Sequence, residues 1–370
     1  MLKLQKLFDI SIVGYYNLTL IVETMEKGDV KISDKIKIFI RYNTWKKLYN
    51  LIVTGIMIFF RKTYSYNYPI VVYIEPTNIC NLHCPGCPTG VGIPSNREKN
   101  TLKLKQFKFF LDQIKDFVYS INFSNWGEPL LHPDILSMIE YAHRNHIRTC
   151  MDTNFNINIS EKKAESMIKS GLDLVTVSLD GFLQKTYGKY RRGGKVELVK
   201  RNIKTLARMK ERLNSDTPEI EIQFLIFSHN INEVDAVKNF AKQAGAKFTS
   251  KYGRRPGIEF DPHPDEPYAP EYGDCIFLWT ITTLNSDNGL APCCLSYYKK
   301  DDFGELTSDF NFKRFWNCEN YIYSRALFSR MKKVRRSASN VLKEKKLESP
   351  CLRCPYYTKK DKRYGQMGIL

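Results

Sequence analysis

The sequence predicts an α/β fold: a partial (β/α)6 TIM-like barrel with a helical N-terminal extension and a small C-terminal α+β domain. Three observations support this prediction. Strand-like and helix-like runs alternate through the middle of the chain, which is typical of parallel βα units. A basic, amphipathic segment precedes them, and a second group of cysteines follows them. The 370 residues allow two domains, and a hydrophobic content of 43% excludes a disordered chain.

Six strand-like runs build the predicted barrel. They are Val71–Ile74, Val118–Ser124, Ile147–Thr153, Leu172–Leu179, Glu219–Phe227 and Ala246–Ser250. Helix-like stretches, with apolar residues three and four apart, lie near 102–116, 134–145, 161–170, 195–212 and 231–244. Six such units give a barrel that is open on one side. Its active site is expected at the carboxyl ends of the strands.

The first chemical feature is a loop with three cysteines shortly after the first strand. Cys80, Cys84 and Cys87 have the spacing C-x3-C-x2-C. Three thiolates on one short loop can hold three irons of a [4Fe–4S] cluster. They can also hold zinc, with His83 or a distant group as the fourth ligand. Structural zinc sites usually show two CxxC-type pairs, so the spacing favours the iron–sulfur alternative.

This loop, preceded by a strand and by Glu-Pro-Thr-Asn at residues 75–78, resembles the radical S-adenosylmethionine (SAM) enzymes. The resemblance implies that the three cysteines bind three irons and that SAM chelates the fourth. It also implies that an electron, from a donor such as a flavodoxin or ferredoxin, cleaves SAM reductively. The resulting 5′-deoxyadenosyl radical would abstract hydrogen from a substrate.

Four later motif fragments occur in the order that this family has. The resemblance implies the following SAM contacts: Gly127, Glu128, Asn154, Ser178 and Arg191. Gly127 and Glu128 match a Gly-Gly-Glu-Pro motif in which Trp126 replaces the first glycine. Arg191 would pair with the SAM carboxylate, which a guanidinium fork suits. Its alternative is a solvated loop charge beside Lys189 and Arg192. Catalytic residues that act on the substrate are not predicted.

A second cysteine group follows the predicted barrel. It consists of Cys275, Cys293, Cys351 and Cys354, with Cys294 and Cys318 as further thiols. The Asn288-Gly289 pair between apolar runs predicts a hairpin. By spacing alone, a zinc ribbon and an iron–sulfur site compete here. The segment is similar to the SPASM or Twitch extension of radical SAM enzymes, which implies one auxiliary [4Fe–4S] cluster. Cys293 is preferred over Cys294, and Cys318 and Cys150 are expected to be structural thiols.

The charge is concentrated at the two ends of the chain. Of a net charge of +18, residues 1–70 have 11 Lys/Arg against 5 Asp/Glu, and residues 299–370 have 18 against 8. We predict four segments: a basic N-terminal extension (1–68), the barrel (69–252), a linker (253–272) and the auxiliary-cluster domain (273–370). Nucleic acid is not favoured as a partner, because no RNA-binding or helix-turn-helix motif is present.

The segment Lys35–Lys62 alternates basic and apolar residues and has two interpretations. One is an interfacial helix on an anionic membrane surface. The other, which we favour, is a helix packed across the open side or bottom of the barrel. The longest apolar stretch, Leu48–Phe60, is shorter than the ~20 residues of a membrane span, and no signal peptide is recognisable. We therefore expect a cytoplasmic protein, with a peripheral membrane location as the alternative.

The resemblance implies net oxidation of a sugar-like alcohol or of a peptide or protein side chain. Relatives with this layout include alcohol dehydrogenases that act on aminocyclitols and maturases that modify peptides. In both groups an auxiliary cluster can accept the electron that the substrate radical loses. Two alternatives stay open. One is a redox-neutral epimerase in which Cys294 or Cys318 returns a hydrogen atom, and the other is a zinc-binding structural or adaptor protein with basic ends.

Overall fold

The structure is a computed structural model that describes residues 38–253 and 275–354. Residues 1–37 of the predicted N-terminal extension lie outside the described residues. So do all but the first residue of the predicted 253–272 linker, and residues 273–274 and 355–370 of the predicted C-terminal domain. The four predicted segment boundaries remain predictions.

Within residues 38–253 and 275–354, nine strands form a single sheet. They are β1 (Val71–Ile74), β2 (Ser120–Asn122), β3 (Arg148–Thr153), β4 (Leu174–Ser178), β5 (Glu219–Ile226), β6 (Lys247–Tyr252), β7 (Ile281–Leu284), β8 (Gly289–Ala291) and β9 (Gly304–Glu305). Their order in the sheet is β6-β5-β4-β3-β2-β1-β7-β8-β9. From β1 to β6 all neighbours are parallel, which confirms the predicted partial barrel. Each of these six strands begins at the predicted residue or up to two residues later.

The helices between the parallel strands cover the outer face of the sheet. They are α2 (Leu104–Asp112), α3 (Ile135–Arg144), α4 (Glu161–Lys169), α5 (Gln184–Tyr190), α6 (Val196–Arg212) and α7 (Val234–Gln243), after an earlier α1 (Trp45–Phe59). Alternate strand residues, among them Val72, Ile121, Met151 and Val175, join the apolar core beneath these helices. The residues between them therefore face the inside of the curved sheet. The short helix α5 was not predicted.

Within residues 275–354, the C-terminal part adds four helices and three strands. The helices are α8 (Phe277–Thr280), α9 (Phe312–Trp316), α10 (Glu319–Ala326) and α11 (Lys332–Glu344). The predicted hairpin is confirmed, because β7 and β8 are antiparallel neighbours. Strand β7 also pairs in parallel with β1, with Ile281 opposite Val71, a pairing that was not predicted. The C-terminal strands thus extend the barrel sheet at its β1 edge.

Helix α1 packs across the amino-terminal ends of the strands. Asn50 donates from Nδ2 to the carbonyl oxygens of Tyr68 and Phe117, at 3.1 and 3.2 Å, and these two residues lead into β1 and β2. Lys47 donates from Nζ to the carbonyl oxygen of His146, at 2.5 Å, just before β3. These bonds hold α1 at the bottom of the barrel. The motif residues lie at the opposite end, where the strands have their carboxyl ends.

Candidate active site

The three cysteines of the first group lie on the loop after β1, at the carboxyl end of the sheet. Cys84 is buried with Leu82 and three residues from the far side of the barrel mouth, and Cys80 and Cys87 pack against this group. The loop is tight: a Cβ at Gly90 would lie 2.6 Å from the backbone of Cys84. A side chain at position 90 would therefore displace the cysteine loop, so the loop requires glycine at this position. The sequence alone did not indicate this requirement.

Two polar side chains approach the sulfurs of this loop. Asn154 Nδ2 is 3.8 Å from Cys80 Sγ, and Arg191 Nη1 is 3.8 Å from Cys84 Sγ. Burial raises the pKa of Cys80 to about 11. Burial also raises the pKa of Cys84, and the Arg191 guanidinium opposes that shift. Donors and a cation beside buried thiols stabilise the thiolate form, which is the form that binds iron.

The Gly-Glu-Pro motif lies against the cysteine loop. A Cβ at Gly127 would be 1.9 Å from the carbonyl oxygen of Thr77, so only glycine fits at this point. The next residue, Glu128, donates its backbone N–H to the carbonyl oxygen of Ile79 at 2.9 Å. The motif and the loop before Cys80 are thereby held together as one unit.

The Glu128 carboxylate is buried and accepts three hydrogen bonds from protein donors. Its Oε1 accepts from Thr153 Oγ1 at 2.6 Å and from the Leu130 N–H at 3.1 Å, and its Oε2 accepts from the Asn154 N–H at 2.8 Å. Burial raises the pKa of Glu128, and these bonds oppose the shift. The expected contact between Glu128 and SAM stays a prediction. The carboxylate links the ends of β2 and β3 and positions Asn154.

Arg191 is anchored by a buried carboxylate. Its Nε donates to Asp180 Oδ2 at 2.5 Å, and Asp180 Oδ1 accepts from the Leu225 N–H at 2.7 Å. The guanidinium therefore has a defined position beside Cys84 and is not a solvated loop charge. Ser178 lies at the end of β4, paired with Gln223 of β5, and no described hydrogen bond links it to the cysteine loop. Asp180 follows Ser178 in the sequence Ser-Leu-Asp-Gly at residues 178–181, and it was not among the predicted site residues.

The second cysteine group is assembled from three separate segments. Burial, together with the neighbouring Cys293, raises the pKa of Cys275 to about 12. Burial, Cys275, Cys354 and Cys293 together raise the pKa of Cys351. The Cys354 N–H donates to the Cys351 carbonyl at 3.3 Å, and Arg61 Nη1 donates to the Cys275 carbonyl at 2.9 Å. The pKa of Cys351 thus responds to each of the three other predicted thiols.

The two adjacent cysteines, Cys293 and Cys294, have different surroundings. Cys293 belongs to the second cysteine group, whereas Cys294 packs against an inner cluster that contains Tyr73. Cys318 Sγ lies 3.8 Å from the Phe303 carbonyl beside the hydrophobic core, and Cys150 is buried on β3. These positions agree with the expected preference for Cys293 and with structural roles for Cys318 and Cys150.

Two side chains connect the first site with the C-terminal segment. Trp126, which replaces the family's first glycine, donates from Nε1 to the Ser296 carbonyl at 3.0 Å. Arg97, on the loop after the cysteines, is buried and contacts Asp287 at 2.8 Å and Asp302 at 2.5 Å. Neither residue was predicted, because their partners lie about 170–205 residues away in the chain. The two cysteine groups are therefore held in one framework.

The inside of the barrel is lined by polar side chains. In-register pairs place Asp152, Thr176 and Glu221 on one level of the sheet. Asp152 Oδ2 accepts from Asn122 Nδ2 at 3.1 Å and from Ser124 Oγ at 2.9 Å. Asp152 itself is exposed to the interior. Such a lining provides carboxylate, amide and hydroxyl groups for a polar substrate.

The residues of both groups fit iron–sulfur clusters. Each iron of a [4Fe–4S] cluster takes one protein thiolate, and the two groups offer three and four thiols. Across residues 38–253 and 275–354, no three His, Cys, Asp or Glu side chains converge closely enough to hold a single metal ion. The first group leaves one iron without a cysteine, as chelation by SAM requires.

Comparisons with known proteins agree with this arrangement. Residues 74–218 match the radical SAM superfamily. The mycofactocin maturase MftC of Mycobacterium ulcerans is 26% identical over 179 residues, which are 48% of this chain and 46% of that protein. A probable GTP 3′,8-cyclase of Methanococcus aeolicus is 30% identical over 176 residues, 46% of this chain and 55% of that protein. The chain thus spans about half the length of these curated relatives.

A solved structure shows the same fold over most of the chain. Streptococcus suis SuiB bound to S-adenosylmethionine aligns with a TM-score of 0.57 at 14% identity. The alignment covers 90% of this chain and 84% of SuiB. At this identity the likeness concerns the fold alone.

Proposed function

The chain belongs to the radical SAM superfamily, and we propose that it oxidises a hydroxylated, sugar-like alcohol by two electrons. As a member of that family it is an enzyme that uses a [4Fe–4S] cluster and SAM, so the zinc-adaptor alternative is dropped. The observation that supports the choice of substrate is the polar interior of the barrel around Asp152 and Glu221. A substrate with several hydroxyl groups would find a hydrogen-bond partner on each lining strand.

The bound cofactors would supply two capabilities: a 5′-deoxyadenosyl radical for hydrogen abstraction at the first site, and uptake of one electron by an auxiliary [4Fe–4S] cluster. We assign the first cluster to Cys80, Cys84 and Cys87. We assign the auxiliary cluster to Cys275, Cys293, Cys351 and Cys354. The electron that starts each turnover would come from an external donor such as a flavodoxin or ferredoxin.

The chain's own residues would prepare these sites. Asn154 and Arg191 supply donors to the Cys80 and Cys84 sulfurs, each at 3.8 Å. Gly127 lets the motif backbone lie against the cysteine loop, and it remains a candidate SAM contact. Ser178, at the end of β4, remains a candidate SAM contact.

Oxidation of an alcohol to a carbonyl also requires loss of the hydroxyl proton. The substrate would give up one hydrogen atom from carbon, one proton from oxygen and one electron, which balances a two-electron oxidation. We propose Asp152 as the proton acceptor. Both side-chain donors to Asp152 use Oδ2, so within the described residues Oδ1 is available to a substrate hydroxyl.

The proposal is tested with anaerobically reconstituted protein, SAM and dithionite. Aminocyclitols, hexoses and short peptides would be supplied in turn, and 5′-deoxyadenosine and product would be measured by mass spectrometry. We expect a hydroxylated compound to yield a carbonyl product two mass units lighter, in a one-to-one ratio with 5′-deoxyadenosine. A modified peptide as the sole product would contradict the sugar-like substrate, and that outcome has a basis in the likeness to a mycofactocin maturase.

A second candidate reaction is redox-neutral epimerisation, and one observation favours it. The Cys294 thiol lies beside Tyr73, on the inner side of β1, where it could return a hydrogen atom to a substrate radical. Reactions in deuterated water distinguish the two candidates. An epimerase would place deuterium on the product carbon and would lose this label in Cys294→Ala. An oxidase would give an unlabelled carbonyl compound at an unchanged rate with the same variant.

A further inference from the structure

Helix α1 has its polar side turned inward and its apolar side turned outward. The inward side buries Lys47, Asn50 and Thr54. Five residues, spaced four and three apart, form the outer stripe: Trp45, Tyr49, Ile52, Ile56 and Phe59. Their exposure is substantial, for example 82% for Trp45 and 58% for Ile52. An ordinary surface helix has the opposite arrangement, with its apolar stripe on the core.

The fold does not depend on the outer stripe for its attachment. Asn50 and Lys47 bind three backbone carbonyls of the barrel, and Thr54 Oγ1 donates back to the Asn50 carbonyl at 2.7 Å. Met57 is the buried apolar residue that connects α1 with the core. The stripe is thus an exposed apolar surface on a helix that is held by other contacts. Patches of this kind mark interaction sites.

Cationic side chains flank the stripe at both ends. At the carboxyl end, the Arg330 guanidinium lies 5.2 Å from the centre of the Phe59 ring. Helix α11 begins two residues later, and its residues Lys332, Lys333 and Arg336 are exposed. At the amino end, Arg41 and Lys46 are exposed, and Lys46 also pairs with Asp116. We call these five exposed residues and Arg330 the basic rim.

We propose that the outer stripe and the basic rim bind the surface of a membrane that contains anionic lipid. Trp45, Tyr49 and Phe59 have the side chains that favour the headgroup layer, and Ile52 and Ile56 would reach the acyl boundary. The basic rim would contact the lipid phosphates. Helix α1 has 15 residues, and no helix of the described segments is both long and apolar enough to cross a bilayer. The helix therefore lies in the plane of the interface.

Charge complementarity separates this partner from others. A nucleic acid would use the basic rim but has no use for a stripe with two isoleucines. A second copy of the chain would cover the stripe but would bring two basic rims together. An anionic lipid surface satisfies both features at once. Since α1 lies at the amino-terminal ends of the strands, the cysteine loop at the opposite end would face the aqueous phase.

The experiment is flotation of the full-length holoenzyme with lipid vesicles under anaerobic conditions. Vesicles of phosphatidylcholine with about 30% phosphatidylglycerol are compared with phosphatidylcholine alone. We expect the protein to float with the anionic vesicles and the emission of Trp45 to shift to the blue. Ile52→Ser/Ile56→Ser should weaken binding about tenfold or more, and Lys332→Glu/Lys333→Glu should weaken it by a similar factor.

Matched controls change equally exposed residues elsewhere. Leu183→Ser/Ile231→Ser and Lys238→Glu/Lys242→Glu should float like the wild type, because these residues lie on the far side of the barrel. The proposal is overturned if the wild type stays in solution with both vesicle types. It is also overturned if the stripe variant binds normally. Sedimentation as a dimer that Ile52→Ser/Ile56→Ser dissociates would assign the stripe to a second copy and would equally overturn it.

Discussion

The backbone N–H of Asn154 donates a 2.8 Å hydrogen bond to Oε2 of Glu128, while the Asn154 side chain lies 3.8 Å from the Cys80 sulfur. The motif glutamate is thereby joined to the cluster loop through one intermediate residue. Glu128 therefore positions Asn154 beside the Cys80 sulfur, and variants of the two residues can test this role.

We predict that Glu128→Gln retains its iron but binds SAM about tenfold more weakly. The new amide would turn an N–H2 group toward a backbone or hydroxyl donor and leave that donor unsatisfied, at a cost of about 1–3 kcal/mol. Calorimetric titration with SAM and an iron count measure both quantities. Glu140→Gln, at an exposed ion pair, is the matched control. Because Glu128 acts through Asn154, the Asn154→Ala variant and the double variant should bind SAM equally weakly, and additive losses would contradict the account.

Arg191 is predicted to raise the reduction potential of the first cluster. A cation beside Cys84 stabilises the more negative, reduced state. Arg191→Met should therefore lower the midpoint potential and slow SAM cleavage about tenfold or more, as loss of a charge-assisted contact implies. Arg191→Lys keeps the charge and should recover the potential better than the activity. Arg192→Met, at the exposed neighbouring residue, is the control. If it changed the midpoint potential and the rate of SAM cleavage as much as Arg191→Met, the role of Arg191 would be ruled out.

Asp152→Asn should uncouple hydrogen abstraction from product formation. Asparagine keeps an oxygen that accepts from Asn122 and Ser124, but it cannot take the hydroxyl proton of a substrate. With the oxidised substrate identified by the compound panel, the rate of product formation should fall about 100-fold or more. Release of 5′-deoxyadenosine should continue. Asp235→Asn, at an exposed position of α7, is the control for loss of a negative charge. An unchanged product rate in Asp152→Asn would show that Asp152 is not the proton acceptor.

Lys47 should make the stability of the protein depend on alkaline pH. Burial lowers the pKa of Lys47 from 10.5 to about 8, with Asp116 opposing the shift. Between these two values the unfolded chain binds more protons at this site, so stability rises with pH. The rise should be on the order of 2–3 kcal/mol in the free energy of unfolding. Urea titrations from pH 8 to 10.5 should show this rise in the free energy of unfolding in the wild type and not in Lys47→Met. The same pH dependence in both proteins would show that Lys47 is not its source.

Much of the barrel could be predicted because its signals are local. The runs that form β1 to β6 are short, the helices between them have regular apolar spacing, and each motif follows a strand. Helix α5 was missed because its seven residues include Gly188 and two tyrosines and show no apolar period. The cysteine spacing was enough to propose both sulfur sites.

The remaining features depend on contacts between distant segments. Nothing near Ile281 in the chain indicates that β7 pairs with β1. The contacts from Trp126 to Ser296 and from Arg97 to Asp302 also join segments that are distant in the chain, so no local pattern predicts them. The orientation of α1 also follows from tertiary contacts. Its amphipathic pattern identifies two faces, but only the bonds of Asn50 and Lys47 decide which face lies inward.

The most direct test of the account counts iron and measures SAM cleavage in the same anaerobic samples. We predict about eight irons per chain in the reconstituted wild type and about four in Cys351→Ala/Cys354→Ala. The latter should still form 5′-deoxyadenosine, whereas Cys80→Ala/Cys84→Ala/Cys87→Ala should keep about four irons and form none. Zinc in place of iron, or two iron–sulfur clusters without any cleavage of SAM, would contradict the central claim.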